Sequence, residues 1–209
     1  MNSVAKEVLT KRQPASVSAN PLRHASQSVQ IYRFDDFLSV EAAAALGHAV
    51  MNLPWQYGWK SNTNMPGNHW HVDFDGRPRA DNDESVAEKI VGTLAQEVWA
   101  QAVAGPLRGH TLIRAYANAH THGVPGNPHM DRKEEGYWTL VYYPNAEWRP
   151  AWGGETVFFD HAGDITFACL PRANRAVVFP SNLSHAARGV DRQCYQMRAV
   201  VVLKTRAPV

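Results

Sequence analysis

Apolar residues recur with two different periods along this chain, and the change between them divides it. From residue 110 onward, hydrophobic positions alternate with polar ones or gather in short apolar runs, as in strands buried on one or both faces. The predicted strands are Thr111–Ala117, Tyr137–Tyr143, Glu155–Phe159, Ile165–Cys169, Arg175–Phe179 and Tyr195–Lys204, with Gly, Pro and Asn in the gaps. Before residue 105 the period is mainly helical. Ser39 caps one predicted helix, with Glu41 in its first turn and Ala43, Leu46 and Val50 behind it. Ser85 to about Ala104 forms a second, with Val86, Ile90, Leu94 and Val98 on one stripe and Gly105-Pro106 as its stop. Val29–Phe34 alternates as a strand does. Residues 54–82 are aromatic and rich in Gly, Pro and Asn, and read as a long surface loop. Residues 1–27 are rich in Ser, Ala, Pro, Lys and Arg, and read as a flexible arm.

Two helices followed by a run of short strands predict a mostly β fold with flanking helices. Its antiparallel core is a sandwich or barrel at about 110–205, carried on a helical support at about 28–104. The whole of 28–209 reads as a single domain. Hydrophobic residues make up 44% of the 209, enough for a substantial core. The formal net charge is only +2, which gives no general attraction to nucleic acid or to an anionic membrane. Cys169 and Cys194 are too few for a disulfide framework or a zinc–cysteine site and read as free thiols. No apolar stretch approaches the roughly 20 residues that span a bilayer, and no apolar signal core follows the N-terminal cations. The expectation is a cytoplasmic protein.

The chemistry concentrates in the β-rich half. His129-Met130-Asp131 puts an imidazole and a carboxylate on the same side of the chain if the backbone is extended, because side chains alternate. Loop-like sequence flanks it, Asn127-Pro128 before and Arg132 to Gly136 after. His185 arrives from a distant strand, after Ala176–Phe179 and the turn Pro180-Ser181-Asn182. Two imidazoles and one carboxylate with open positions left over form the facial triad of non-haem Fe(II) chemistry. Arg198 opens the run Ala199–Leu203, where a buried guanidinium needs an anionic partner and presents a planar fork suited to a carboxylate. A second H-x-D, His71-Val72-Asp73, lies in the loop-like segment with no partner strand in the right order. It is set aside as a ligand pair.

In order and spacing these pieces resemble the prolyl-hydroxylase-like branch of the 2-oxoglutarate/Fe(II)-dependent dioxygenases. The resemblance covers roughly residues 110–205. It rests on Arg114-Ala115-Tyr116, His129-Met130-Asp131, Thr139 to Asn145, Trp152-Gly153-Gly154-Glu155-Thr156, His185 and Arg198. It implies a double-stranded β-helix, of jelly-roll or cupin-like type, with Fe(II) on His129, Asp131 and His185. It implies 2-oxoglutarate and O2 as co-substrates, with Arg198 and Tyr116 on the distal carboxylate of 2-oxoglutarate. Thr139 would point into the pocket beside them. Related iron halogenases carry a small residue in place of the carboxylate, so Asp131 points to hydroxylation or another oxidation. Nucleic-acid demethylases carry a second arginine six residues after the first, where this chain has Lys204.

The expected substrate is a small metabolite, amino acid or natural product, oxidised at a C–H bond with release of succinate and CO2. No nucleic-acid or membrane partner is expected. Trp70, His71 and His122 are candidate substrate contacts, and Trp55, Tyr57 and Trp59 a candidate lid. A peptidyl hydroxylase is the alternative within the class. A non-catalytic cupin-like metal- or ligand-binding protein, which would recruit His120 or His122, is the alternative outside it.

Overall fold

A computed structural model describes residues 20–21, 30–60, 68–76 and 83–208. The expected arm, residues 1–27, lies outside these apart from 20–21. Among the described residues eleven strands form two sheets. The larger has the order β1 (Asn20–Pro21), β2 (Tyr32–Phe34), β9 (Arg175–Pro180), β6 (Tyr137–Tyr143), β11 (Arg198–Arg206), β5 (Thr111–His120), β4 (His69–Asp73) and β3 (Gln56–Trp59). The smaller has the order β10 (His185–Ala187), β7 (Thr156–Phe159) and β8 (Ile165–Cys169). The pairings are antiparallel. Mostly β with flanking helices, the architecture is the expected one.

Period-2 alternation sorts the side chains of the large sheet. Ala115, Ala117, Leu140, Tyr142, Ala176, Val178, Val201 and Leu203 face a core shared with the helices. Tyr116, Val141, Tyr143, Val177, Phe179, Val200 and Val202 face inward, where Phe158 and Cys169 of the small sheet meet them. The central strand β11 is therefore buried on both faces, which explains its unbroken apolar run.

Helix α1 (Val40–Met51) starts where expected, the Ser39 hydroxyl accepting the Ala42 N–H at 3.1 Å. It lies so close to the end of β6 that a Cβ on Gly47 would stand 2.7 Å from the Pro144 carbonyl oxygen. Helix α2 (Leu94–Ala104) is shorter than the predicted Ser85–Ala104. Gly92 takes φ +80° and Thr93 caps the helix through the Ala95 N–H, so residues before it form turns. Val86 and Ile90 are still fully buried. The apolar stripe reports burial correctly there, and the helical period does not extend that far.

The segment 54–82 also departs from expectation. It holds β3 and β4, which extend the large sheet through the pairing of β4 with β5. Both cysteines are free, Cys169 buried and Cys194 half-buried.

Candidate active site

The main chains of His129 and His185 bind each other. The His129 N–H donates to the His185 carbonyl at 3.0 Å, and the His185 N–H donates back at 2.9 Å. This bridge adds the 129 segment to the edge of β10. Asp131 is fixed next to it, its N–H donating to the Ser181 carbonyl at 2.9 Å. The ligand atoms of His129, Asp131 and His185 all lie within 4.8 Å of one another. His129 Nε2 is 3.6 Å from Asp131 Oδ1, and His185 Nε2 is 3.7 Å from Asp131 Oδ2.

The donor set fits a metal ion of the type expected. Each histidine Nδ1 faces a backbone carbonyl, Asn127 at 2.8 Å for His129 and Leu183 at 2.9 Å for His185. A carbonyl only accepts, so Nδ1 carries the proton and Nε2 keeps its lone pair toward Asp131. Burial pushes His185 down to about 4, keeping its imidazole neutral near pH 7. Burial also opposes charge on Asp131, but the carboxyl is held well below the usual range, with the Lys204 ammonium the largest opposing influence.

Thr139 reaches this carboxylate directly. Its hydroxyl donates to Asp131 Oδ2 at 2.7 Å and lies 2.9 Å from the Ser181 hydroxyl. It was expected beside the co-substrate; it lines the cavity, and its polar contacts are with Asp131 and Ser181. The other carboxylate oxygen meets Lys204, whose Nζ is 2.8 Å from Asp131 Oδ1. In the sequence Lys204 stands out only as a departure from another family's pattern. Only the fold brings it to Asp131.

Arg198 is 1% exposed. Its Nε donates to the Gly154 carbonyl, and its Nη2 donates to the Thr156 hydroxyl at 2.8 Å. The guanidinium carbon lies 5.5 Å from the centre of the Tyr143 ring, and the Tyr143 hydroxyl donates to Thr156 at 2.7 Å. Among the described residues no carboxylate forms an ion pair with Arg198, although a buried cation is costly without one. Gly154 explains part of the Gly-Gly motif. At φ +73° it lies so near that a Cβ would stand 3.0 Å from Arg198 Cδ.

Tyr143 was not singled out from the sequence, whereas Tyr116 was. The structure sets Tyr116 elsewhere, with the Arg114 guanidinium 4.8 Å and the Lys204 ammonium 5.7 Å from its ring. In the sheet Tyr116 pairs with Val202, while Arg198 pairs with His120.

A cavity of about 570 Å³ joins these groups, with Arg198, Thr156, His129, Asp131, His185 and Lys204 in its wall. The candidate substrate residues are not brought to that wall. Trp70 faces the opposite side of the sheet, packed near Val50 and Leu94. His71 is buried, hydrogen-bonded to Asn118 at 2.6 Å and stacked on Trp59 at 3.9 Å. The Nδ1 of His122 meets the Val190 carbonyl at 3.0 Å. Trp59 and Asn118, the two neighbours of His71, do line the cavity. Of the expected lid aromatics Trp59 alone does so, while Tyr57 packs on Trp70 with ring centres 5.1 Å apart. His120, which a cupin-like metal site would recruit, is buried at the end of β5 beside Arg198, and burial pushes it down to about 3. The set-aside pair is close, with His71 Nε2 3.1 Å from Asp73 Oδ1, but among the described residues no third ligand joins it.

Residues 114–203, which contain His129, Asp131, His185 and Arg198, match the model of the 2OG-Fe(II) oxygenase superfamily. That stretch is similar to the 2OG-Fe(II) oxygenases. Proteins of that superfamily use Fe(II), 2-oxoglutarate and O2. No curated protein sequence matches the chain. Among solved structures, a Pseudomonas putida prolyl-4-hydroxylase shares the fold at TM-score 0.58 and 17% identity, over 87% of this chain and 95% of that one. A prolyl hydroxylase from Trichoplax adhaerens, solved with a peptide fragment of hypoxia inducible factor, superposes at TM-score 0.59 and 17% identity, over 84% of this chain and 83% of that one. HygX from Streptomyces hygroscopicus, solved with nickel and 2-oxoglutarate, does so at TM-score 0.57 and 9% identity, over 86% and 83%. The shared double-stranded β-helix bears out the predicted core. Among the described residues no helix of this chain is long and apolar enough to cross a membrane.

Proposed function

We propose that the chain oxidises a C–H bond of a small molecule, with His129, Asp131 and His185 holding Fe(II) and Arg198 holding the distal carboxylate of 2-oxoglutarate. The observation that carries this reading is the pairing of His129 with His185 in one wall of a cavity that also receives a buried guanidinium with no carboxylate partner among the described residues. Iron bound there supplies the oxidative decarboxylation of 2-oxoglutarate to succinate and CO2, coupled to oxidation of the substrate.

The chain's own residues orient and exclude. The Asn127 and Leu183 carbonyls fix the two imidazoles with Nε2 facing the metal position. Thr139 and Lys204 hold the two oxygens of Asp131. Thr156 and the face of Tyr143 steady Arg198, so that its remaining donors meet a carboxylate bidentately. Val141, Val200 and Val202 line the cavity between these polar groups and keep water from part of its wall.

The cavity's size suits 2-oxoglutarate together with a compact second molecule. A peptidyl substrate is the second reading, motivated by the prolyl hydroxylases that share the fold. The test is O2-dependent succinate release from Fe(II)-loaded protein offered small acids, amino acids and proline-containing peptides. Stimulation by small molecules supports the reading. Stimulation by peptides alone supports the alternative, and absence of succinate under every condition would reject both.

A further inference from the structure

Lys204 of β11 and Arg114 of β5 are direct cross-strand partners in the large sheet. Like charges directly opposite one another in a sheet repel. Here both side chains also turn inward and are mostly buried, 19% and 16% exposed. Both line the main cavity, and both line a second, adjoining cavity of about 310 Å³. They flank one ring, that of Tyr116, from 5.7 and 4.8 Å.

Each has a carboxylate at hand. Arg114 Nη2 is 3.6 Å from Asp73 Oδ1, and Lys204 Nζ is 2.8 Å from Asp131 Oδ1. Neither carboxylate removes the imbalance within the cavity. Asp73 also faces His71, at 3.1 Å, and is not part of the cavity wall. Asp131 is shared with both histidines and is a proposed metal ligand.

The wall as a whole carries Lys60, Arg114, Lys133, Arg198 and Lys204 against the single carboxylate of Asp131, among the described residues. The proposed function assigns Arg198 to the co-substrate. Arg198 stands six positions from Lys204 on β11, about 20 Å along the strand. A cluster of cations in a partly enclosed cavity focuses a positive field on whatever enters.

Resting on that reading of the site, we infer that the molecule oxidised is itself an anion. Its carboxylate or phosphate ester is received by the Arg114–Lys204 pair, on the side of the triad away from Arg198. Arg114 supplies the planar fork and Lys204 the point charge. Trp59, which lines the same end with the Arg114 guanidinium carbon 5.5 Å from its ring, offers an apolar face to the rest of the molecule. The cation pair orients the substrate by its charged end.

The experiment uses full-length protein loaded with Zn(II) and saturated with 2-oxoglutarate, a combination that binds without turning over. Calorimetry compares phenylacetate with phenylacetamide, hexanoate with hexanamide, and phenyl phosphate with phenol. The anion of at least one pair is expected to bind about tenfold or more tightly than its neutral twin, as a charge-assisted contact provides. The carboxylate and phosphate arms identify which oxyanion is preferred. Arg114→Gln reduces that preference to less than about threefold, and Arg114→Lys retains most of it, with thermal melts confirming that both variants fold. Affinity for 2-oxoglutarate stays within about threefold in both. Equal binding of anions and neutral twins, or no anion binding at millimolar concentration, overturns the inference. So does an Arg114→Gln variant that loses 2-oxoglutarate as strongly as the probe, since the pair would then serve the co-substrate. Failure of the unsubstituted, metal-loaded protein to bind 2-oxoglutarate would instead overturn the proposed function beneath it.

Discussion

Thr139 donates its hydroxyl to Asp131 Oδ2 at 2.7 Å from a fully buried position on β6. The contact matters because Asp131 lies in a loop, whereas Thr139 belongs to a strand paired on both sides. A ligand on a loop is thereby oriented by a strand inside the sheet. Thr139→Val keeps the shape and removes the hydroxyl, so iron affinity is expected to fall about 10- to 100-fold, the usual cost of losing an outer partner of a ligand. Thr139→Ser should restore most of it. Chelator competition reads the affinity, and a melt run in parallel separates it from a loss of fold. Unchanged affinity in the valine variant would show that Lys204 alone positions the carboxylate.

Gly154→Ala tests the anchor without touching it. The new Cβ would stand 3.0 Å from Arg198 Cδ at a backbone φ of +73°, so the guanidinium or the turn must shift. Losing one charge-assisted contact costs about 1.5–3 kcal/mol, or roughly 10- to 100-fold in 2-oxoglutarate affinity. Arg198→Ala should do at least as much, with iron binding retained. If Gly154→Ala leaves the 2-oxoglutarate requirement unchanged, the anchor lies elsewhere.

Tyr143→Phe distinguishes this tyrosine from Tyr116. The lost hydroxyl bond to Thr156 is expected to cost about 1 kcal/mol of stability and to loosen the seat of Arg198, raising the 2-oxoglutarate requirement a few-fold. Tyr116→Phe should leave that requirement nearly constant, because Tyr116 sits beside Arg114 and Lys204. The reverse ranking would return the co-substrate role to Tyr116.

Away from the site, Arg175 grips Asp35 at two points, 2.6 and 3.1 Å, and ties the start of β9 to the turn after β2. The hydrogen bond from Arg175 holds the Asp35 carboxyl below its usual range. A carboxyl depressed in the folded state stabilises above its unfolded pKa, near 3.9, and that contribution is lost as pH falls through the folded value. Asp35→Asn should therefore melt below the parent at pH 7, with the gap closing under about pH 4. Melting curves across pH check this, and a gap independent of pH would mean that the ion pair is not its source.

The residues most legible in the sequence belong to compact local motifs. His129-x-Asp131 and His185 could be read because each follows from strand alternation and turn chemistry within a few positions, and Arg198 because it opens an apolar run. What the sequence obscured depends on partners far along the chain. Trp59, His69 and Trp70 look like loop residues, since β3 and β4 are short and held by pairing with β5. Lys204 looks like an exposed strand end until β6 carries Thr139, and the loop before it Asp131, to its side. Tyr143 reads as one aromatic in an apolar strand until the fold sets it under Arg198. The predicted helix over 85–104 shows the converse, burial without the helical geometry that its period suggested.

The most direct measurement is anaerobic visible spectroscopy of the purified protein titrated with Fe(II) and then with 2-oxoglutarate. The account predicts a weak charge-transfer band that grows to one equivalent of iron and is absent in Asp131→Ala. In Arg198→Ala it should require substantially more 2-oxoglutarate. No band in the parent protein, or an undiminished band in Asp131→Ala, would contradict it.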